Sequence, residues 1–198
     1  MIRKSGGGRL NVVGARRRAL RVAKGRTFFM TQHLREILEY CDSQEWNYTL
    51  NEEKNTLTMR MSLKAVDACT IHVQMRGEDG FTIYTVFPVR APEGKRDDVA
   101  AFITRANYGL ILGNFELDFD DGEIRYKVTT VCGQAELTTP IVERTFDMGF
   151  CMFDRYGEGL LQVLYGGAAP IATVDAIENE EGEKPAVTPT APGGTMLS

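Results

Sequence analysis

Between Phe115 and Val128 the sequence alternates with a period of two on both sides of an Asp121-Gly122 pair. Phe115, Leu117 and Phe119 alternate with Glu116, Asp118 and Asp120, and Ile124, Tyr126 and Val128 alternate with Arg125 and Lys127. Such alternation sends every apolar side chain to one face of a strand pair, and Asp-Gly is a strong two-residue hairpin turn. The turn predicts the pairs Phe119–Ile124, Leu117–Tyr126 and Phe115–Val128, with Asp118 opposite Arg125 and Glu116 opposite Lys127. One register then satisfies an apolar face and two charge pairs, whereas a slip by one residue buries carboxylates. The hairpin commits the chain to an antiparallel sheet with one buried face.

The rest of the sequence supplies more strands and the helices to cover them. Thr31 can cap a helix in which Leu34, Ile37, Leu38 and Cys41 recur at helical spacing up to about Ser43. Trp46, Tyr48 and Leu50 read as a strand, followed by a polar turn from Asn51 to Asn55 and a strand over Leu57, Met59, Met61 and Leu63. Ile71, Val73 and Met75 face inward on the next strand, with Thr70, His72, Gln74 and Arg76 outward. Glu78-Asp79-Gly80 turns the chain into a strand from Phe81 to Pro88, as a type I turn with a bulge at Gly80. Phe81, Ile83 and Phe87 then share the inner face, and Tyr84 and Val86 point the other way. A different turn register would instead place Tyr84 in the core. A second helix starts near Gly94, carries Val99, Phe102, Ile103, Ala106 and Leu110, and ends at Gly113. Thr139 caps a third helix with Pro140 as its first residue, a stripe from Val142 to Tyr156, a bend at Gly157 and Gly159, and a stop at Gly166-Gly167. The fold class is α+β: a mostly antiparallel sheet of about six strands, three helices on one face, in the order α-β-β-β-β-α-β-β-α.

Composition adds limits. The chain has 198 residues, 43% hydrophobic and 25% charged, enough for a full core. No apolar run approaches the roughly 18 residues of a membrane span. Four cysteines without paired spacing exclude a disulfide scaffold. The balance of 23 basic and 27 acidic residues carries no overall nucleic-acid signal. It is uneven, however: residues 1–26 hold nine basic groups and no acid, leaving 14 basic against 27 acidic residues in the remainder. Three domains of behaviour follow. Residues 1–29 form a basic arm expected to be disordered, residues 30–175 the folded domain, and residues 176–198 an acidic and then Pro-, Thr- and Gly-rich flexible tail. The arm reads as a leader or a tail without a role, with nucleic-acid binding and an organellar transit peptide as rivals. The mature protein is expected to begin near Met30, or residues 1–29 to be mobile. The apolar stretch near Val12-Val13 is too short for a secretory signal, and a cytoplasmic location is expected.

No catalytic set emerges. Starting from Asp118, Gly122 and Thr129 stand at positions five and twelve, where a calcium loop needs Gly at six and Glu at twelve. Cys69 and His72 face opposite sides of one strand and cannot share a metal. Cys41, Cys132 and Cys151 lie in separate elements, and Cys41 and Cys151 fall on or near apolar helix faces, where core positions are expected. No nucleophile motif surrounds any Ser or Cys, and no Gly-rich loop leads into a Lys-Ser or Lys-Thr helix start. Asp97-Asp98 has a first-turn dipole reading. No catalytic, cofactor or metal residues are assigned.

Specific local sequence accompanies this pattern. Phe87-Pro88-Val89-Arg90-Ala91-Pro92 leads into Lys95-Arg96-Asp97-Asp98-Val99-Ala100, then Asn107-Tyr108-Gly109-Leu110, Leu112-Gly113-Asn114-Phe115-Glu116-Leu117-Asp118 and Asp121-Gly122-Glu123-Ile124-Arg125-Tyr126. Over about residues 31–175 the chain resembles the YbjN family of bacterial proteins, called sensory transduction regulators. The resemblance implies a fold similar to type III secretion chaperones and a non-enzymatic, cytoplasmic protein acting through protein contacts. It brings no catalytic residues, and Asn107, Gly113, Phe115 and Gly122 retain structural readings.

The function expected is therefore a chaperone-like or regulatory protein-binding module that engages another polypeptide, as a monomer or a homodimer, without membrane or nucleic acid. The expected interface is the open sheet face, with Tyr84 and Val86 beside His72, Gln74 and Arg76. The alternatives are a ligand-sensing or enzymatic domain with a pocket between helices and sheet near His72 or the cysteines, and a nucleic-acid binder using the arm.

Overall fold

The computed structural model describes residues 32–182 except Glu78 and Gln134. The expectations for the arm, the Thr31 cap, the Glu78 turn position and residues 183–198 lie outside the described residues.

The chain opens with α1 (Gln32–Ser43), whose buried residues include Leu34, Ile37 and Cys41. Four strands follow: β1 (Tyr48–Asn51), β2 (Thr56–Met61), β3 (Cys69–Met75) and β4 (Gly80–Val86). A short 3-10 turn at Glu93–Lys95 leads into α2 (Arg96–Tyr108), then come β5 (Asn114–Leu117) and β6 (Ile124–Val131). The helices α3 (Thr139–Tyr165) and α4 (Pro170–Gly182) complete the fold. The six strands form one antiparallel sheet in the order β1-β2-β3-β4-β6-β5. The α+β class holds, with four helices rather than three.

Alternation sorts the sheet into two faces. Leu57, Met59, Ile71, Val73, Phe81, Ile83, Phe115, Ile124 and Tyr126 are buried on one side. Helix α3 lies across that side. Phe153 meets Phe87 and Phe115, with ring centroids 5.1 and 5.7 Å apart. At Gly149 a Cβ would come within 2.1 Å of the Thr85 hydroxyl, so the helix seats on β4 only because this position lacks a side chain. Gly157 and Gly159 serve similar close contacts, facing Val66 and Ile177, and α3 continues through both as one helix. Thr138 is its cap position and Thr139 its first residue, one residue earlier than expected.

The expected boundary at residue 175 falls inside α4. Val174 is fully buried, and Arg105 of α2 holds Asp175 and Glu178 at 2.7 and 3.0 Å. Pro170 opens this helix at a position that suits its missing N–H.

The β5–β6 hairpin has a different register from the one predicted. Leu117 pairs with Ile124, Glu116 with Arg125 and Phe115 with Tyr126, a shift of two residues. A two-residue type I′ turn needs positive φ at both central residues, and Gly122, at +76°, has it where Asp121 does not. A longer loop replaces it. The Asp118 carboxylate accepts the Asp120 N–H, Arg96 donates to the Phe119 carbonyl, and Arg90 pairs with Asp121. Phe119, expected in the core, is 54% exposed in this loop. The shift is by two, so the two faces survive it.

Three further expectations are corrected. Gly109, not Gly113, follows α2. Gly113, at φ +76°, precedes β5 and lies against Tyr126, whose hydroxyl donates to the Leu112 carbonyl. Gly80 has the expected positive φ, at +151°, but it starts β4, where a Cβ would come within 2.0 Å of the Thr130 carbonyl, and the left-handed residue of the turn is Gly77, at +65°. Cys151 is exposed rather than core, whereas Cys41 is buried.

Candidate functional site

The helices leave one sheet face uncovered, and strand register assembles a set of polar side chains on it. Across the middle run Thr58, His72, Tyr84, Lys127 and Asn114, one from each strand from β2 to β5. On one side lie Thr56, Gln74, Thr82 and Thr129, and on the other Arg60, Thr70, Val86, Arg125 and Glu116. Tyr84, Val86, His72 and Gln74 are half-buried members of this one face, and Arg76, just beyond β3, reaches onto it. Tyr84 is therefore not a core residue.

The expected apolar patch is chemically different from a bare aromatic surface. The Arg125 guanidinium sits over the Tyr84 ring, 4.5 Å from its centroid. Arg76 donates from one terminal nitrogen to the Tyr84 hydroxyl at 2.9 Å and from Nε to the Thr82 hydroxyl at 3.1 Å. Thr82 and Thr129 share a hydrogen bond at 3.0 Å, as do Thr58 and Nδ1 of His72. Tyr84 is thus a post between two guanidinium groups, held through its hydroxyl by Arg76 and through its ring face by Arg125, the cation–π contact contributing about 0.5–1 kcal/mol at such exposure.

Charge follows the same rows. Glu116 accepts from Arg125 Nε at 2.8 Å and pairs with Lys127. Burial pushes the Glu116 carboxyl up, but the hydrogen bonds from Lys127 and Arg125 and their charges outweigh it, holding it below the ordinary range. Burial likewise works against the Arg125 charge, and the bond to Glu116 with the nearby acids overrides it, so Arg125 stays firmly cationic. Arg60 and Arg76 form no ion pair among the described residues.

A groove of about 590 Å³ runs between α2 and β5, lined by Ala100, Ile103, Asn107, Phe115 and Leu117 among others. It lies between a helix and the sheet, as the ligand-sensing reading expects, but it touches neither His72 nor a cysteine. Within it the Asn107 carboxamide accepts the Phe115 N–H at 2.8 Å and donates to the Phe115 carbonyl at 3.0 Å. The side chain thereby occupies the place of a neighbouring strand on the outer edge of β5. His33 approaches the Ala135 carbonyl at 3.3 Å. Burial pushes the Cys41 and Cys69 thiols up to about 12, which suits buried, unreactive sulfur.

Residues 33–162 fit YbjN, described as a putative bacterial sensory transduction regulator. The chain belongs to the YbjN family. A search of curated proteins finds no match. The YbjN match covers every strand, α1, α2 and most of α3, so the open face lies wholly within it. Among the described residues no helix is long and apolar enough to cross a membrane.

Sequence reasoning found five members of the face and missed Arg60, Arg125, Lys127 and Glu116. Arg125 and Lys127 were legible only as partners within the hairpin. Their place beside Tyr84 depends on β6 pairing with β4, across the whole of α2 and β5, and no local pattern encodes that.

Proposed function

We propose that this YbjN chain is a non-enzymatic regulatory module of the cytoplasm that works by binding another polypeptide through its open sheet face. The observation that carries the reading is the arrangement around Tyr84: one uncovered face with an aromatic pinned between Arg76 and Arg125 and bordered by His72, Gln74 and Val86. An antiparallel sheet tolerates a wet face, so openness alone says little. A preorganised set of donors held on a rigid sheet is a stronger sign, because ordering those side chains costs no further entropy at contact. The family description of a regulator fits this mode of action. A chaperone-like role is one form of it.

The double variant Tyr84→Ala with Val86→Ser tests the reading. Both positions lie outside the core, so the melting temperature should stay near that of the wild type. Partner capture, read by affinity purification from the native host with quantitative mass spectrometry, should fall. Unchanged capture with an intact fold would count against the face.

A further inference from the structure

The cations on the open face define what kind of polypeptide it takes. We propose that the face binds an acidic, extended polypeptide segment, with Arg60 and Arg76 as the groups that engage its carboxylates. This rests on the protein-binding reading above and deepens it.

Outside the basic arm the chain carries 14 basic and 27 acidic residues. The open face reverses that ratio. Among the described residues, Arg60, Arg76, Arg125 and Lys127 stand on it against Glu116, with Glu123 reaching Arg125 from the hairpin loop at 3.4 Å. Glu116 already occupies Arg125 and Lys127. Arg76 spends Nε and one terminal nitrogen on the neutral oxygens of Thr82 and Tyr84, which fixes its plane and leaves donors free. A fixed guanidinium is suited to a carboxylate, which it meets through two parallel hydrogen bonds. Threonines on β2, β3 and β6 add hydroxyls that can meet a backbone, whereas Thr82 on β4 is buried beneath Arg76.

A nucleic acid would share the negative charge, but the face suits it less. Sequence-tolerant binding of single strands needs exposed aromatic platforms, and the Tyr84 ring is already covered by Arg125.

The test uses the full chain, labelled with ¹⁵N, titrated with a 16-residue peptide of alternating Glu and Thr. Controls are the same peptide with Gln for Glu and a 16-nucleotide single-stranded DNA. Amide shifts separate the face from the basic arm, which is expected to attract any polyanion. The account predicts shifts at Thr70–Gln74, Thr82–Val86 and Arg125–Thr129 with the acidic peptide and none there with the Gln peptide. Arg60→Gln with Arg76→Gln should weaken those face shifts on the order of tenfold, and Arg76→Lys alone should also weaken them, by less, since lysine keeps the charge but not the two parallel hydrogen bonds. Shifts confined to residues 1–29, or tighter binding of the DNA at the face, would overturn the proposal. So would face shifts that appear on raising protein concentration without peptide, which would mean a second copy of the chain. If the Gln peptide binds the face as well as the acidic one, the charge argument falls and the protein-binding reading stands. If the Tyr84→Ala, Val86→Ser variant also keeps its cellular partners, both fall.

Discussion

Replacing Asn107 by alanine should loosen β5 without touching the hydrophobic core. The carboxamide makes two bonds to one residue, accepting the Phe115 N–H at 2.8 Å and donating to its carbonyl at 3.0 Å. A typical hydrogen bond contributes about 0.5–1.5 kcal/mol net, and a buried peptide group left unpaired costs about 1–3 kcal/mol. The groove beside α2 admits water to these atoms, and the Phe115 carbonyl also accepts from the Asn114 carboxamide at 3.2 Å, so the lower part of that range applies to each. Alanine also recovers roughly 0.5 kcal/mol of helix propensity over asparagine. The net loss should be about 2 kcal/mol, which in a domain of this size lowers Tm by roughly 4–8 °C. Urea denaturation measures the first quantity, and hydrogen exchange at the Phe115 amide locates it. Asn107→Asp keeps an acceptor for the N–H but sets an oxygen against the carbonyl. It should lose stability while the Phe115 amide stays slow to exchange. An Asn107→Ala variant within about 0.5 kcal/mol of wild type, with the Phe115 amide still protected, would refute the clasp.

Phe119→Asp should change stability by no more than about 0.5 kcal/mol by chemical denaturation, because the ring is exposed in the hairpin loop; unfolding would restore the two-residue turn register. Gly149→Ala should destabilise by about 1–3 kcal/mol in spite of the helix propensity gained, since the new methyl collides with Thr85; a neutral result in thermal melts would mean that α3 does not seat on β4 as described. Glu116 has a folded-state pKa below its unfolded one, so its contribution is present above the unfolded value and lost as pH falls through the folded one. Glu116→Gln should therefore be less stable than wild type at pH 7, with the gap closing in melts below about pH 4.

The sequence carried the order of elements and the inside–outside parity of each strand, because both are local. Ile71, Val73, Phe81 and Ile83 alternate visibly, and their burial follows. The hairpin register failed for a reason equally local but less visible. Asp118 bonds the loop backbone, and Arg90 and Arg96, from another part of the chain, hold the loop open at Asp121 and Phe119. Helix α4 was missed because the acids after Ile177 resemble a tail, although Glu178 is drawn inward by Arg105 and the Tyr156 hydroxyl. The site was half legible for a topological reason. His72, Gln74, Arg76, Tyr84 and Val86 belong to consecutive strands, while Arg125 and Lys127 arrive by a crossover.

The central claim, that the open sheet face is where this protein meets its partner, is tested most directly by photo-crosslinking in the native host. A photoreactive amino acid at Gln74 samples the open face, and one at Glu143 samples the exposed side of α3 as a control. The account predicts discrete polypeptide adducts from position 74 that disappear in the Arg60→Gln, Arg76→Gln background, with none from position 143. Adducts formed only from position 143 would contradict it.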